Sequence, residues 1–188
     1  MVQQNAKSYT DMVFRRMKGS KMSDLIKREE LLSQNIYDNP DFFDGYKKLR
    51  ENPDSANILE EKPALFSLAP DLAGKAVLDL GCGYGENCAE FKRLGASRVV
   101  GIDISERMLE VSKKENTGIE FIRADMSNLS CIDGRFDVVF SSLAVHYIKD
   151  FNSFIAGVYG LLVDGGIFMF SQEDLPSKKF SSLSRRRK

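Results

Sequence analysis

A chain of 188 residues, 43 % hydrophobic and 29 % charged, has the size and balance of one globular domain built on a single core. Its 27 basic and 27 acidic residues cancel, which argues against an overall field drawing it to nucleic acid or to a membrane surface. No apolar run approaches the roughly 18 residues of a bilayer span. Met1 to Lys21 lacks the apolar stretch of a signal peptide, so the expected setting is cytoplasmic. The single histidine and three cysteines, Cys82, Cys88 and Cys131, have neither metal nor disulfide spacing, and no protein metal site is expected.

Residues 1–35 read as an N-terminal extension. Met22, Leu25, Ile26, Leu32 and Ile36 fall near helical spacing behind Ser23 as a cap. Either an amphipathic helix packs on the domain here or the extension is loosely held. The domain itself is expected over 36–175. Asn39-Pro40 reads as an N-cap and first helical position, so Pro40 to Arg50 is a short helix with Phe42, Phe43, Tyr46 and Leu49 on one face. A further helix follows Pro63, carries Leu65, Phe66 and Leu68, and stops at Pro70.

From Lys75 onward, strand and helix patterns alternate as in a doubly wound α/β sheet. Strand Ala76–Leu80 leads to helix Gly85–Leu94, which ends at Gly95; strand Arg98–Ile102 leads to a helix capped by Ser105 and running to Glu115. Strand Ile119–Arg123 then connects through the Asp133-Gly134 turn to strand Phe136–Ser141. Helix Phe151–Leu162 has a clean apolar face, and Asp164-Gly165-Gly166 turns the chain into strand Ile167–Ser171. Right-handed crossovers place these strands in the order 3-2-1-4-5. The remaining residues, 176–188, end in Arg185-Arg186-Arg187-Lys188 and read as a solvated basic tail, with an anion- or RNA-binding tail as the alternative.

The chemistry concentrates at Val77–Glu86, where an apolar strand breaks into Gly81, Gly83 and Gly85 and a helix begins. Glycines there let the backbone turn tightly and approach a ligand. The spacing is G-x-G-x-G, because Glu86 stands where a dinucleotide binder has its last glycine. Asp79, two residues before Gly81, would repel a pyrophosphate and attract an ammonium group. This predicts a nucleoside ligand with a cationic tail and no phosphate. Asp103 ends the second strand, 18 residues after Gly85, where an acid accepts hydrogen bonds from ribose hydroxyls. The alternative for Asp103 is a partner of the next helix N-terminus.

Val77–Glu86, together with Val99–Met108 and Ile119–Met126, resembles the class I S-adenosylmethionine-dependent methyltransferases, nearest to the small bacterial type 11 methyltransferase domain, over residues 36–174. The resemblance implies a Rossmann-like, mostly parallel fold. It implies a cofactor, S-adenosylmethionine, leaving as S-adenosylhomocysteine, and a small-molecule acceptor methylated on O, N or C. Gly81 and Gly83 would lie beneath the methionine moiety, with Asp79 holding its ammonium directly or through water. Cys82 would be a small side chain behind the turn. Ile104 and Met108 would sandwich the adenine; Asp125 would accept from its amino group, and the Met126 N–H would reach a ring nitrogen.

Ser141 would belong to the cofactor site and the segment Ser142 to Tyr147 would face the methyl and the acceptor; the helix at Pro40 either covers the core or acts as a lid, bringing Tyr37, Tyr46 and Arg50 to the methionine carboxylate or the acceptor. His146 is the candidate catalytic base, with a structural imidazole beside Tyr147 as the alternative.

Similar methyltransferases continue with a helix and two more strands, and the expectation here is a sheet without those last two strands. Its fifth strand is expected as an edge, either covered by something else or left by truncation or divergence, in a monomer or a homodimer. Two other functions stay open: a non-catalytic or truncated S-adenosylmethionine-binding protein, and an NAD-dependent oxidoreductase, against which Asp79 and the missing glycine both count.

Overall fold

Strand β1, Ala76–Leu80, is four apolar residues and one acid, and every residue after the first is buried. Such a run suits the centre of a parallel sheet, where both faces are covered. In the computed structural model, which describes residues 34–50, 59 and 61–172, β1 does lie at that centre. It pairs in parallel with β2, Arg98–Asp103, on one side and β4, Phe136–Ser141, on the other. Strands β3, Glu120–Arg123, and β5, Leu162–Phe170, form the edges. The resulting order β3-β2-β1-β4-β5 is the expected one. The expected helix within 1–35 and the basic tail from Pro176 lie outside the described residues, apart from a 3-10 turn at Gln34–Asp38.

The helices follow the capping signals. Helix α1, Pro40–Arg50, starts with proline, and the Asn39 side chain accepts the Phe42 N–H at 3.3 Å. Helix α2, Lys62–Ser67, again has proline in its first turn. Helix α3, Glu86–Arg93, begins behind Gly85, whose φ of +77° favours a residue without a Cβ. Helix α4, Glu106–Glu115, is capped by the Ser105 hydroxyl, which accepts the Met108 N–H at 3.2 Å. Helix α5, Phe151–Leu161, is capped by Asp150, and it buries Phe154, Val158 and Leu161 at i, i+4 and i+7.

Strand alternation sends Leu78 and Leu80 into the core layer beneath α5, whereas Val77 packs with Phe91, Leu109 and Leu65 of α3, α4 and α2.

The fifth strand departs from expectation. Asp164-Gly165-Gly166 do not precede it; they lie within it. Leu162, directly after α5, already pairs with Phe136, and pairing resumes at Ile167 with Val138. Residues Val163 to Gly166 thus bulge out opposite the single Asp137. Gly165 takes φ +77°, and a Cβ on Gly166 would fall 2.9 Å from the Val163 carbonyl. The turn residues do bend the chain, but the ladder is joined before and after them. Among the described residues β5 pairs with β4 alone, as expected of an edge, and Ile167 is 42 % exposed.

Candidate active site

All five strands are parallel, so their carboxyl ends lie at one edge of the sheet, and there β1 and β4 diverge to opposite neighbours. The loop after β1 is held against β2: the N–H groups of Gly81 and Cys82 both donate to the Ile102 carbonyl at 2.9 Å. The next N–H, of Gly83, donates to Asp103 Oδ2 at 2.9 Å, while Asp103 Oδ1 accepts the Ser105 N–H at 2.9 Å. Asp103 therefore ties the glycine loop to the start of α4. A carboxylate has about four acceptor sites. Backbone N–H groups at Gly83, Ser105 and Ile104 use part of this capacity, and the rest is left for a ligand. Burial, opposed by these N–H donors, raises the Asp103 pKa above the ordinary carboxylate value.

The glycines do different things. A Cβ on Gly81 would stand 2.6 Å from that of Ala144, and one on Gly85 would strike the Phe121 ring at 2.7 Å. These two are small because the protein itself approaches. Gly83, at φ +53°, meets no protein atom within 4 Å, so its missing side chain leaves room for a ligand. Gly101, opposite Asp79 on β2, leaves space for the Cys82 and Cys88 sulfurs, each 2.9 Å from where its Cβ would be. Cys82 is thus a small side chain packed behind the turn, and burial pushes its thiol pKa up, away from reactivity.

Asp79 sits deeper than the sequence implies. It is 0 % exposed, its Oδ2 accepts the Cys88 S–H at 3.5 Å, and its Oδ1 has no hydrogen-bond partner among the described residues. Burial is the main cause that lifts its pKa to about 7, with Asp103 nearby adding and Lys62 opposing. The acid that sequence reasoning takes as a fixed negative charge is poised between charge states near neutrality. An orphaned buried oxygen gains from any donor delivered to it.

Above the loop opens a small cleft, continuous with solvent, lined by Gly81, Cys82 and Gly83. Tyr46 of α1 and Tyr84 line one side, their ring centroids 6.2 Å apart. Tyr37 packs edge-on against Tyr46 at 5.0 Å, and its hydroxyl shares a 3.1 Å hydrogen bond with that of Tyr147. Arg50 ends α1, and its side chain lies outside what is described.

The other sequence-derived residues are spread along the same sheet edge. Ile104 is half-buried at the start of α4, its carbonyl accepting from Arg123 at 3.2 Å; the Met108 side chain is buried. Asp125 follows β3, half-buried, with its Oδ1 accepting the Ser127 N–H at 2.8 Å in a local turn, and Met126 is buried in the core. Ser141 differs from expectation: it is fully buried, and its hydroxyl donates to the Leu80 carbonyl at 2.9 Å, tying β4 to β1. The hydroxyl that lines the cleft belongs to Ser142. His146 lies in the 3-10 turn Val145–Tyr147, its ring centroid 4.3 Å from that of Tyr147, and is not among the residues lining the cleft.

Sequence reasoning missed several residues. Lys62 and Asn87 line the cleft beside Ser142 of the expected segment, and Lys62 Nζ meets Glu86 Oε2 at 2.5 Å. Glu61 accepts from the hydroxyls of Ser142, at 2.8 Å, and Ser171, bracing the ends of β4 and β5. Asp38 accepts the Ser105 hydroxyl at 2.6 Å and the Arg107 N–H at 3.3 Å, fastening the segment before α1 to α4. Only the polar pair Glu61-Lys62 ahead of Pro63 offered a local signal. Asp38 offered none.

Comparison with known proteins places this geometry. A methyltransferase domain family matches residues 78–170. An uncharacterized protein of Haemophilus influenzae is 38 % identical over 146 residues, 73 % of this chain and 58 % of its own length. A malonyl-[acyl-carrier protein] O-methyltransferase of Yersinia pestis is 29 % identical over 129 residues, 68 % of this chain and 48 % of its own. The crystal structure of an S-adenosylmethionine dependent methyltransferase from Mesorhizobium loti superposes with a TM-score of 0.58 at 38 % identity, covering 64 % of this chain and 55 % of that one.

The match over residues 78–170 and the similarity to an S-adenosylmethionine dependent methyltransferase are consistent with a class I S-adenosylmethionine-dependent methyltransferase domain. The chain spans about half the length of these relatives.

Proposed function

We propose that this chain is an S-adenosylmethionine-dependent methyltransferase that moves a methyl group to O, N or C of a small molecule. The observation that carries this reading is the pairing of Gly83 with Asp103: an open position on the glycine loop, held by a carboxylate that keeps acceptor capacity in reserve. Asp103 takes the ribose hydroxyls, and the loop at Gly81 and Gly83 underlies the methionine portion. Ile104, Met108, Asp125 and Met126, ranged along the next strand ends, form the adenine side. Asp79 lies beneath, its orphaned oxygen and near-neutral pKa suited to a cationic ligand.

An NAD-type pyrophosphate is disfavoured. Glu86, the first residue of α3, puts a carboxylate at the helix end where a phosphate would rest, with Asp79 behind it.

The bound cofactor supplies a methyl group already activated by its sulfonium. The protein's own contribution is alignment: a wall of Tyr46, Tyr84 and Ser142 confines the acceptor, and proximity of this kind supplies ~7–11 kcal/mol. His146, packed on Tyr147 and off the cleft wall, serves that wall as structure. Balanced charge and two buried free thiols suit a cytoplasmic setting. Among the described residues no helix is long and apolar enough to cross a membrane.

Titration calorimetry tests the reading. S-adenosylhomocysteine is expected to bind and NAD not to, and Asp103→Ala should weaken the former by about 1.5–3 kcal/mol, the scale of charge-assisted hydrogen bonds. NAD binding more tightly than S-adenosylhomocysteine would overturn it.

A further inference from the structure

One ion pair at the cleft joins the first turns of two helices beside the glycine loop. Lys62, in the first turn of α2, reaches across to Glu86, in the first turn of α3, and both line the cleft with Gly81 and Gly83. The pair is partly exposed, with side chains 22 % and 40 % accessible, so it adds little stability. Beside it stands Asn87, nine-tenths buried, whose Oδ1 has no hydrogen-bond partner among the described residues although the side chain borders the same cleft. A buried amide oxygen left without a donor is a cost that a ligand removes. Asp79, the acid that sequence reasoning assigns to the ligand ammonium, lies below the cleft and does not line it.

We propose that Lys62 and Asn87 read the amino-acid end of the cofactor, and that Glu86 is the placeholder for its carboxylate. In the protein alone, the Glu86 carboxylate occupies the Lys62 ammonium. When a zwitterionic tail enters, its carboxylate takes over Lys62 and Glu86 turns out to solvent, one carboxylate exchanged for another. The tail's ammonium donates to the Asn87 amide oxygen, which a half-turn of the amide presents to the cleft. Asp79 then acts from behind as a field that favours the cation and not as its direct acceptor.

The exchange discriminates by chemistry: an adenosine thioether without an amino acid has no carboxylate to displace Glu86 and no ammonium for Asn87. This inference rests on the function proposed above and adds the group that selects the cofactor's tail.

The test compares S-adenosylhomocysteine with 5′-methylthioadenosine, which keeps the nucleoside and sulfur and lacks the amino acid, by calorimetry on the full chain. Lys62→Met is expected to weaken S-adenosylhomocysteine about 10- to 100-fold while leaving methylthioadenosine within about twofold, which also reports that the variant is folded. Lys62→Arg should restore most of the loss. Glu86→Gln should bind S-adenosylhomocysteine at least as tightly as the wild type, because the exchange no longer breaks an ion pair.

Wild-type binding of S-adenosylhomocysteine that Lys62→Met leaves unchanged, or an equal loss of both ligands, overturns this inference alone. Failure of the wild type to bind either ligand overturns the proposed function, and this inference with it.

Discussion

At the ends of β1 and β2 the residues of the cleft are neighbours in sequence, whereas at the ends of β4 and β5 they arrive from far along the chain. The first group is Gly81, Cys82 and Gly83, with Asp79 beneath them and Asp103 joined to Gly83 across 20 residues through one hydrogen bond. Their shape is a backbone shape, fixed by strand register and left-handed glycines. The second group depends on closures between distant segments: Glu61 to Ser142 spans 81 residues, and Tyr37 to Tyr147 spans 110.

Leu143 in this group takes φ +51°, a strained region for a leucine, and is held there by N–H contacts to the Ser171 carbonyl at 3.2 Å and hydroxyl at 3.1 Å. One half of the cleft is made by local sequence. The other is assembled by tertiary contacts, and its form can change without disturbing the first.

The two halves touch at Gly81, whose missing Cβ would lie 2.6 Å from Ala144 Cβ. Breaking the comparison there should have the largest effect. Gly81→Ala combines a left-handed backbone penalty of ~1–2 kcal/mol with an overpacking cost of ~1–3 kcal/mol, so urea unfolding should show a loss of about 2–5 kcal/mol. Gly83→Ala provides the contrast, since its φ is also positive while no protein atom stands in the way. It should lose only the backbone penalty, ~1–2 kcal/mol. Equal losses in the two variants would mean that the halves do not meet at this point.

The same division decides what could be read from the sequence. Strand order, helix starts and the Asp79–Gly83 and Asp103 cluster were legible because each rests on a periodicity, a cap or a glycine within a few residues. The fifth strand was misread at its start. Asp164-Gly165-Gly166 has the chemistry of a turn, and nothing local says that Leu162 has already joined Phe136 in the ladder.

Ser141 was singled out for standing at a strand end, yet strand alternation turns it inward and its neighbour Ser142 outward to the cleft. Asp79 was placed correctly along the chain, but its depth was not legible. A carboxylate's charge state depends on the water around it, and burial is a property of the whole fold. Glu61, Lys62 and Asp38 act through partners dozens of residues away, so a local pattern, where there is one at Glu61-Lys62, does not say what they meet.

That depth gives the next prediction, a smaller one at any single pH. An acid whose folded pKa is about 7, against an ordinary 3.8, keeps its proton in the native state over a range where the unfolded chain has lost it. Its contribution to stability is therefore fully present below the unfolded value. It falls as pH rises from about 4 to about 7, by ~1.4 kcal/mol for each unit of the shift, and then levels off. Asp103, also raised, adds to the same trend, so the Asp79 share is isolated by comparing the wild type with Asp79→Asn. The wild type should lose more stability between pH 5 and 7 than the variant does; parallel curves would show that Asp79 is ionised throughout. Because a cationic ligand favours the ionised form, its binding should release protons below pH 7, visible as a buffer-dependent heat.

The smallest effect is expected at His146, where the distal half can be altered with the proximal half left whole. Its ring rests on Tyr147 at 4.3 Å, Tyr147 bonds to Tyr37, and Tyr37 packs on Tyr46, which reaches the cleft. By this route His146 reaches the cleft wall through Tyr147, Tyr37 and Tyr46. His146→Ala should cost about 0.5–1.5 kcal/mol of stability through the lost ring contact, seen as a lower Tm, while S-adenosylhomocysteine affinity stays within ~0.5 kcal/mol. A drop in affinity as large as that expected for Asp103→Ala would place the imidazole in the cofactor half, and the separation of the two halves would then be wrong.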